Sequence, residues 1–264
     1  MAVSFGFIGT GNMGGALARA AVKGGVDAVL FDKAEDKAKA LAAQLGCKAG
    51  SLADAAACDY IFLGVKPQMM AALFAELAPI LEKQENFILV SMAAGIPIAD
   101  IRKLAGKDYP IIRIMPNIPV SAGSGVIMYA ASENVSGEAV DTFCKAMGQA
   151  GLLDPIAEAL IDAGSAISGC GPAFAAMFIE ALADGGVICG LPRDKAMDYA
   201  ACMLEGAAKM LRETKMHPGA LKDAVCSPGG STIAGVQALE DGGFRSAAIS
   251  AVTAAYYRTK ELGK

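Results

Sequence analysis

The chain has no tryptophan and a single histidine, and its seven cysteines include no pair spaced C-x-x-C. One imidazole and no close thiol pair cannot supply the nitrogen and sulfur ligands of a structural or catalytic zinc site, so no metal is expected. The thiols, Cys47, Cys58, Cys144, Cys170, Cys189, Cys202 and Cys226, are odd in number and sit mostly among apolar residues. They read as buried, reduced side chains of a cytoplasmic protein. Lysine and arginine are scattered through a chain of net charge −4 and pI near 5.1. No basic patch is therefore available for nucleic acid or an anionic membrane surface. Long uninterrupted apolar runs are also missing: the uncharged stretches 114–132 and 163–179 are broken by proline, glycine and serine. A span of roughly twenty apolar residues is needed to cross a bilayer, so no membrane segment is expected. Residues 1–8 have no basic leader and run straight into glycines, which argues against a signal peptide or anchor.

What is present is apolar residues, 54% of 264, enough to fill two modest cores. In the first half Ser4–Ile8 is a short apolar run, Gly9-Thr10-Gly11-Asn12-Met13-Gly14 follows, and 16–22 are small helix formers. That order is strand, glycine turn, helix. Further apolar runs at 26–31, 60–65, 87–90 and 111–115 alternate with helical segments. Such alternation implies a doubly wound parallel sheet covered on both faces, an α/β domain of Rossmann type over residues 1–155, with ligands at the carboxyl ends of its strands. The three glycines serve separate ends. Gly9 allows the tight turn, Gly11 lets backbone approach a pyrophosphate, and Gly14 lets helix and strand pack closely. A nicotinamide dinucleotide is the expected ligand.

Asp32 ends the second strand and can accept hydrogen bonds from the adenosine ribose hydroxyls, which favours NADH over NADPH. Its neighbour Lys33 can instead pair with a 2'-phosphate, and both residues also read as the solvated start of a helix. Val65-Lys66-Pro67 and Ala93-Ala94-Gly95 end apolar strands with small or rigid residues, where a flat ring can approach or the chain can simply turn. Asn117, held between Pro116 and Pro119, can donate and accept at once and is expected to line the site.

From Asp154 the pattern becomes helical, and 156–264 reads as an all-α domain whose first helix starts at Ile156. Pro172 suits a first helical position, with Phe174, Met177, Phe178, Ala181 and Leu182 on one face. Pro192 opens another helix with the stripe Met197, Ala200, Ala201, Leu204, Ala208 and Leu211. Both stripes read as packing surface rather than cofactor contacts. With a mean hydropathy of +0.43, so much apolar helix surface is expected to be covered by a second copy of the chain. The break Cys226-Ser227-Pro228-Gly229-Gly230-Ser231-Thr232 feeds a helix at Ile233. Its amides can cradle a carboxylate and Thr232 offers a hydroxyl to a nitrogen, although Ser231 or Thr232 can equally cap the helix. His217, the single histidine, invites a catalytic role, but it has no visible acid partner to orient it and can equally cap the preceding helix.

Several of these segments together resemble the pyrroline-5-carboxylate reductase family over essentially the full chain. They are 6–13, Val65-Lys66-Pro67-Gln68, Ala93-Ala94-Gly95, 115–119, 168–174 and 221–240 with its Ser-Pro-Gly-Gly-Ser-Thr core. The resemblance implies reduction of the ring imine of 1-pyrroline-5-carboxylate to L-proline by hydride from NADPH or NADH, the last step of proline biosynthesis. It also implies a homodimer interlocked through the helical domain, often within a decamer, with active sites built from two protomers. Carried over by motif, the cofactor positions are Ile8, Gly9, Thr10, Gly11, Asn12, Met13, Asp32, Lys33, Ser51, Val65, Lys66, Pro67, Met92, Ala93, Ala94 and Gly95. The substrate loop is Ser227, Gly229, Gly230, Ser231 and Thr232, with Thr232 bonding the ring nitrogen and with Asp223 and Glu158 as further contacts. Asp32 departs from the neutral or basic residue of many relatives.

Two alternatives stand beside this one. The β-hydroxyacid dehydrogenases share the opening Gly6-x-x-Gly9-x-Gly11-x-Met13-Gly14, but place a lysine after a Gly-x-Gly helix start to handle the hydroxyl proton. Here Gly169-Cys170-Gly171 leads to Pro172-Ala173-Phe174, with no lysine before Lys195. A non-enzymatic dinucleotide sensor would need no polar loop such as the one ending in Thr232.

Overall fold

A computed structural model describes residues 3–262. They form two compact units, one of residues 3–169 and 256–262, the other of residues 170–255. The first is built on an eight-stranded sheet: β1 (Ser4–Ile8), β2 (Asp27–Phe31), β3 (Lys48–Ala49), β4 (Tyr60–Leu63), β5 (Ile88–Ser91), β6 (Ile111–Met115), β7 (Gly125–Ala131) and β8 (Gly151–Pro155), in the order β3-β2-β1-β4-β5-β6-β7-β8. Helices α1 (Asn12–Lys23), α2 (Glu35–Leu45), α3 (Leu52–Ala56), α4 (Met70–Leu81), α5 (Ile98–Ala105), α6 (Gly137–Ala146) and α7 (Ile161–Ser168) accompany it.

The expected parallel strands are present, and the sheet goes further than the apolar runs suggested. β7 returns antiparallel to β6, and β8 lies parallel to β7. β8 was illegible because it carries Gly151, Asp154 and Pro155, poor strand formers that are tolerated at a sheet edge. The helix expected from Ile156 begins at Ile161, after a short 3-10 turn at Glu158–Leu160. Ile161 is fully buried with Met115, Met128 and Ala130, and a Cβ on Gly164 would lie 2.2 Å from the Met128 sulfur. α7 therefore packs on the sheet, and the two compact units divide at Gly169 and Cys170.

Alternation along the strands sorts the core into two layers. Phe5, Phe7, Phe62 and Phe143 fill one, with Phe7 and Phe62 stacked at 4.4 Å between ring centres. Ile8, Ile61, Leu63 and Leu89 fill the other with Phe74, Leu77 and Ile101. Burying each of these side chains is worth about 1.5–3 kcal/mol. On β1 the small residue between the two phenylalanines is required: a Cβ on Gly6 would sit 1.8 Å from the Ala55 carbonyl oxygen of α3.

The second unit contains α8 (Gly171–Ile188), α9 (Arg193–Thr214), α10 (Pro218–Ala224), α11 (Ser231–Asp241) and most of α12 (Phe244–Leu262). α8 meets α9 through small residues, with Ala183, Ala196 and Ala200 buried. Of the stripe on α9, Ala200 alone is buried within the chain, and Met177, Ile188 and Ile249 are 69%, 86% and 68% exposed. This apolar surface has no cover inside a single copy.

Replacing Gly6 by alanine is expected to push α3 off the sheet at a cost of about 1–3 kcal/mol, lowering the thermal midpoint by several degrees in a calorimetric scan. A midpoint equal to wild type would show that α3 gives way freely.

Candidate active site

The turn after β1 is built from backbone that tolerates no side chain at two points and leaves room at a third. Gly9 has φ +98°, and a Cβ there would lie 2.7 Å from the Gly64 oxygen. A Cβ on Gly14 would approach the Gly9 oxygen to 2.1 Å, whereas one on Gly11 would meet nothing within 4 Å. Gly11 caps α1, with no side-chain hydrogen bond to the helix end and no acidic residue in the first turn. By contrast Ser51 caps α3 through a capping box with Asp54, and Ser136 caps α6. Free N–H groups, the positive end of the helix dipole and open space at Gly11 together fit a pyrophosphate.

Asp32 is first a clamp on this turn. Its Oδ2 accepts from Thr10 N at 2.8 Å and Thr10 Oγ1 at 3.1 Å, and its Oδ1 accepts from Ala34 N at 2.9 Å. Partial burial pushes the carboxyl up, but these hydrogen bonds, with Lys37 nearby, outweigh it and hold Asp32 below its ordinary value of 3.8. It also lines a cavity of about 300 Å3 with Phe31, Glu35, Lys39, Gly50 and Ser51. Lys39 in that cavity is already bonded to Glu35 at 2.8 Å, and Lys33 turns to Glu76 on α4 at 2.8 Å.

The remaining cofactor positions follow neighbouring strands, β1, β4 and β5, so their turns share one carboxyl edge. Val65 and Met92 are half-buried, Lys66, Pro67, Ala94 and Asn12 are exposed, and Gly95 has φ +73°. Ile8 has its side chain 1% exposed in the core, and its carbonyl accepts from Gly64 N.

Two substrate candidates are engaged within the chain. Asn117 is 7% exposed, with Nδ2 donating to Ser168 O at 2.9 Å and Oδ1 accepting from Val126 N at 2.8 Å. It braces its loop. Glu158 Oε1 accepts from Ile98 N at 2.7 Å and from Arg113 Nη1 at 3.2 Å. Arg113, 4% exposed on β6, also reaches Asp162 at 3.3 Å. Motif and spacing do not single it out, though a lone charge inside Ile-Ile-Arg-Ile-Met is a visible signal, since a buried guanidinium must be paired.

In the second unit the loop expected to hold substrate, 227–230, ends at a helix start with the features of α1. Gly229 has φ +70°, and Gly230 caps α11 with no side-chain hydrogen bond and no acidic residue in the first turn. Ser231 and Thr232 lie exposed in that turn, and neither hydroxyl caps the helix. Ser227 folds under the loop, its Oγ 2.3 Å from where a Cβ on Gly230 would be. Asp223, on α10, pairs with Lys222 at 2.6 Å. His217 Nδ1 accepts from Gly219 N at 3.1 Å and so caps the helix that follows it, not the one before.

Residues 158–262 match the model of the family described as pyrroline-5-carboxylate reductase dimerisation, and residues 4–95 that of NADP oxidoreductase, coenzyme F420-dependent. The chain is 38% identical to the pyrroline-5-carboxylate reductase of Escherichia coli K12, covering 100% of each. It belongs to the pyrroline-5-carboxylate reductase family. A solved member of the family from Coxiella burnetii is 31% identical with a TM-score of 0.89, over 99% of this chain and 98% of that one. Another, from Plasmodium falciparum with NADP bound, is 28% identical with a TM-score of 0.87, over 100% and 98%. Membership sets aside the hydroxyacid dehydrogenase and sensor alternatives. It also accounts for the stretch Glu158–Ile188, which by length and composition alone could cross a bilayer. That stretch is α7 and α8, broken at Gly169 and Cys170, and lies in the segment matched to dimerisation.

A carboxyl depressed on folding contributes stability that is complete above its unfolded value and lost as pH falls through the folded one. Asp32 therefore holds the turn at every pH above 3.8 and lets go only in stronger acid. Asp32→Asn removes the charge at neutral pH and is expected to weaken NADH binding about tenfold, the scale of losing charge-assisted hydrogen bonds. Titration by nicotinamide fluorescence, in a protein without tryptophan, checks this.

Proposed function

We propose that this chain performs the family's reaction with the residues at two of its glycine-capped helix starts, α1 and α11. The reaction is the reduction of 1-pyrroline-5-carboxylate to L-proline by NAD(P)H, the last step of proline biosynthesis. The dinucleotide supplies the hydride that adds to the imine carbon. The amides after Gly229 and Gly230 seat the substrate carboxylate, with Ser227 and Ser231 beside them, and Thr232 Oγ1 bonds the ring nitrogen. A protonated imine is already electrophilic, so positioning carries the rate and no strong general acid is needed. The observation that carries this reading is that the hydroxyls of Ser231 and Thr232 stand in the first turn of α11 without being used to cap it.

For the cofactor, the preference is for NADH. The cavity next to Asp32 holds two carboxylates against one ammonium, and that ammonium is engaged by Glu35. A 2'-phosphate would enter a site with no free cation among its lining residues. The exposed apolar faces of α8, α9 and α12 support a homodimer assembled into a decamer, and seven free thiols suit the cytoplasm.

Mixing the protein with pyrroline-5-carboxylate and following dinucleotide absorbance should show oxidation, with higher kcat/KM for NADH than for NADPH. Thr232→Ala should lower turnover about 10- to 100-fold with NADH binding intact. Full turnover in that variant would remove Thr232 from the mechanism, and a preference for NADPH would overturn the cofactor reading.

A further inference from the structure

Between β5 and α5 the chain runs through Met92-Ala93-Ala94-Gly95-Ile96-Pro97. α5 starts poorly by its own means: its N-cap is Pro97, which has no side-chain acceptor. The Ile98 N–H is instead taken by Glu158, sixty residues later, at 2.7 Å. The same carboxylate oxygen is held by Arg113 at 3.2 Å, and Arg113 is anchored to Asp162, which Lys260 also approaches at 3.3 Å. Arg113 stands in register with Ser91 across the β5–β6 ladder. One residue thus fixes both ends of the loop, through its backbone beside Ser91 and through Glu158 at Ile98.

We infer that Arg113 and Glu158 are positioning residues for hydride transfer, holding the Ala93-Ala94-Gly95 loop at the height the nicotinamide ring requires. This rests on the reading that the ring lies against that loop. A buried guanidinium with two carboxylates is a costly way to cap a helix when serine or threonine suffices. Its rigidity is what a flat ring needs, since displacement by about 1 Å can cost roughly 100-fold in rate. The Arg113 Nε is buried without a hydrogen-bond partner among the described residues, so the side chain is placed for its two Nη contacts.

The test compares Glu158→Ala, Glu158→Gln and Glu158→Asp. Gln retains an oxygen for Ile98, while Asp keeps the charge but is one methylene short. In Glu158→Ala we expect amides at the start of α5 to lose hydrogen-exchange protection in the cofactor-free protein. Turnover should fall about 10- to 100-fold, the primary isotope effect with 4-deuterated NADH should rise, and NADH affinity should hold within about threefold. Glu158→Gln should restore most of the turnover. If the alanine variant does not fold, Glu158→Asp should show the same rise in isotope effect. Wild-type turnover and isotope effect in Glu158→Asp, or turnover lost at an unchanged isotope effect, would overturn the inference. Ala94→Leu, at an exposed loop position, separates the two readings. Loss of activity there with none in Glu158→Asp rejects the clamp alone, whereas activity surviving Ala94→Leu rejects the placement of the nicotinamide and the clamp with it.

Discussion

The dinucleotide half of this protein depends on two backbone segments touching where no side chain fits. Gly9 and Gly64 close on each other so tightly that a Cβ on either would fall within 2.7 Å of the other's oxygen. Hydrogen bonds secure the contact from both sides, Gly9 N to Phe31 O at 2.8 Å and Gly64 N to Ile8 O at 2.7 Å. From that junction β1, β2 and β4 take their mutual spacing, α1 takes its direction through Gly14, and its free amide end points into open space. Asp32 then tethers Thr10, so the turn is held by a charge as well as by contact.

Much of this was legible in the residues. The roles of Gly9 and Gly14 follow from spacing, because each answers a backbone requirement that only glycine meets, while Gly11 leaves open space in front of the helix. Asp32 was half legible: its place at the end of a strand is local, but its bonds to Thr10 come from the fold. Asn117 was half legible for the same reason, since a side chain that can donate and accept serves a ligand or a loop equally well, and its bonds to the Ser168 carbonyl and the Val126 amide come from the fold. Arg113 escaped, and with it the pairing of Glu158, because the two lie 45 residues apart. β8 escaped because an edge strand need not look like one.

The helix starts show the limit of local pattern from the other side. Ser231, Thr232 and His217 all read as possible caps, yet only the histidine caps, and it caps the helix after it. What separates them is where the preceding backbone turns: Gly229 and Gly230 bring the chain into α11 with the hydroxyls already inside its first turn. A sequence rule for caps registers residue type and misses that displacement of one or two positions.

The two rims of the sheet carry a consequence for assembly. β3 is only two residues long, and β8 ends in a proline with no N–H to offer. Both rims are poor templates for another strand, which disfavours zipping of copies into a continuous sheet. Association is thereby steered to greasy helix faces, whose pairing is finite and self-limiting, and the cofactor fold stays out of reach of runaway polymerisation.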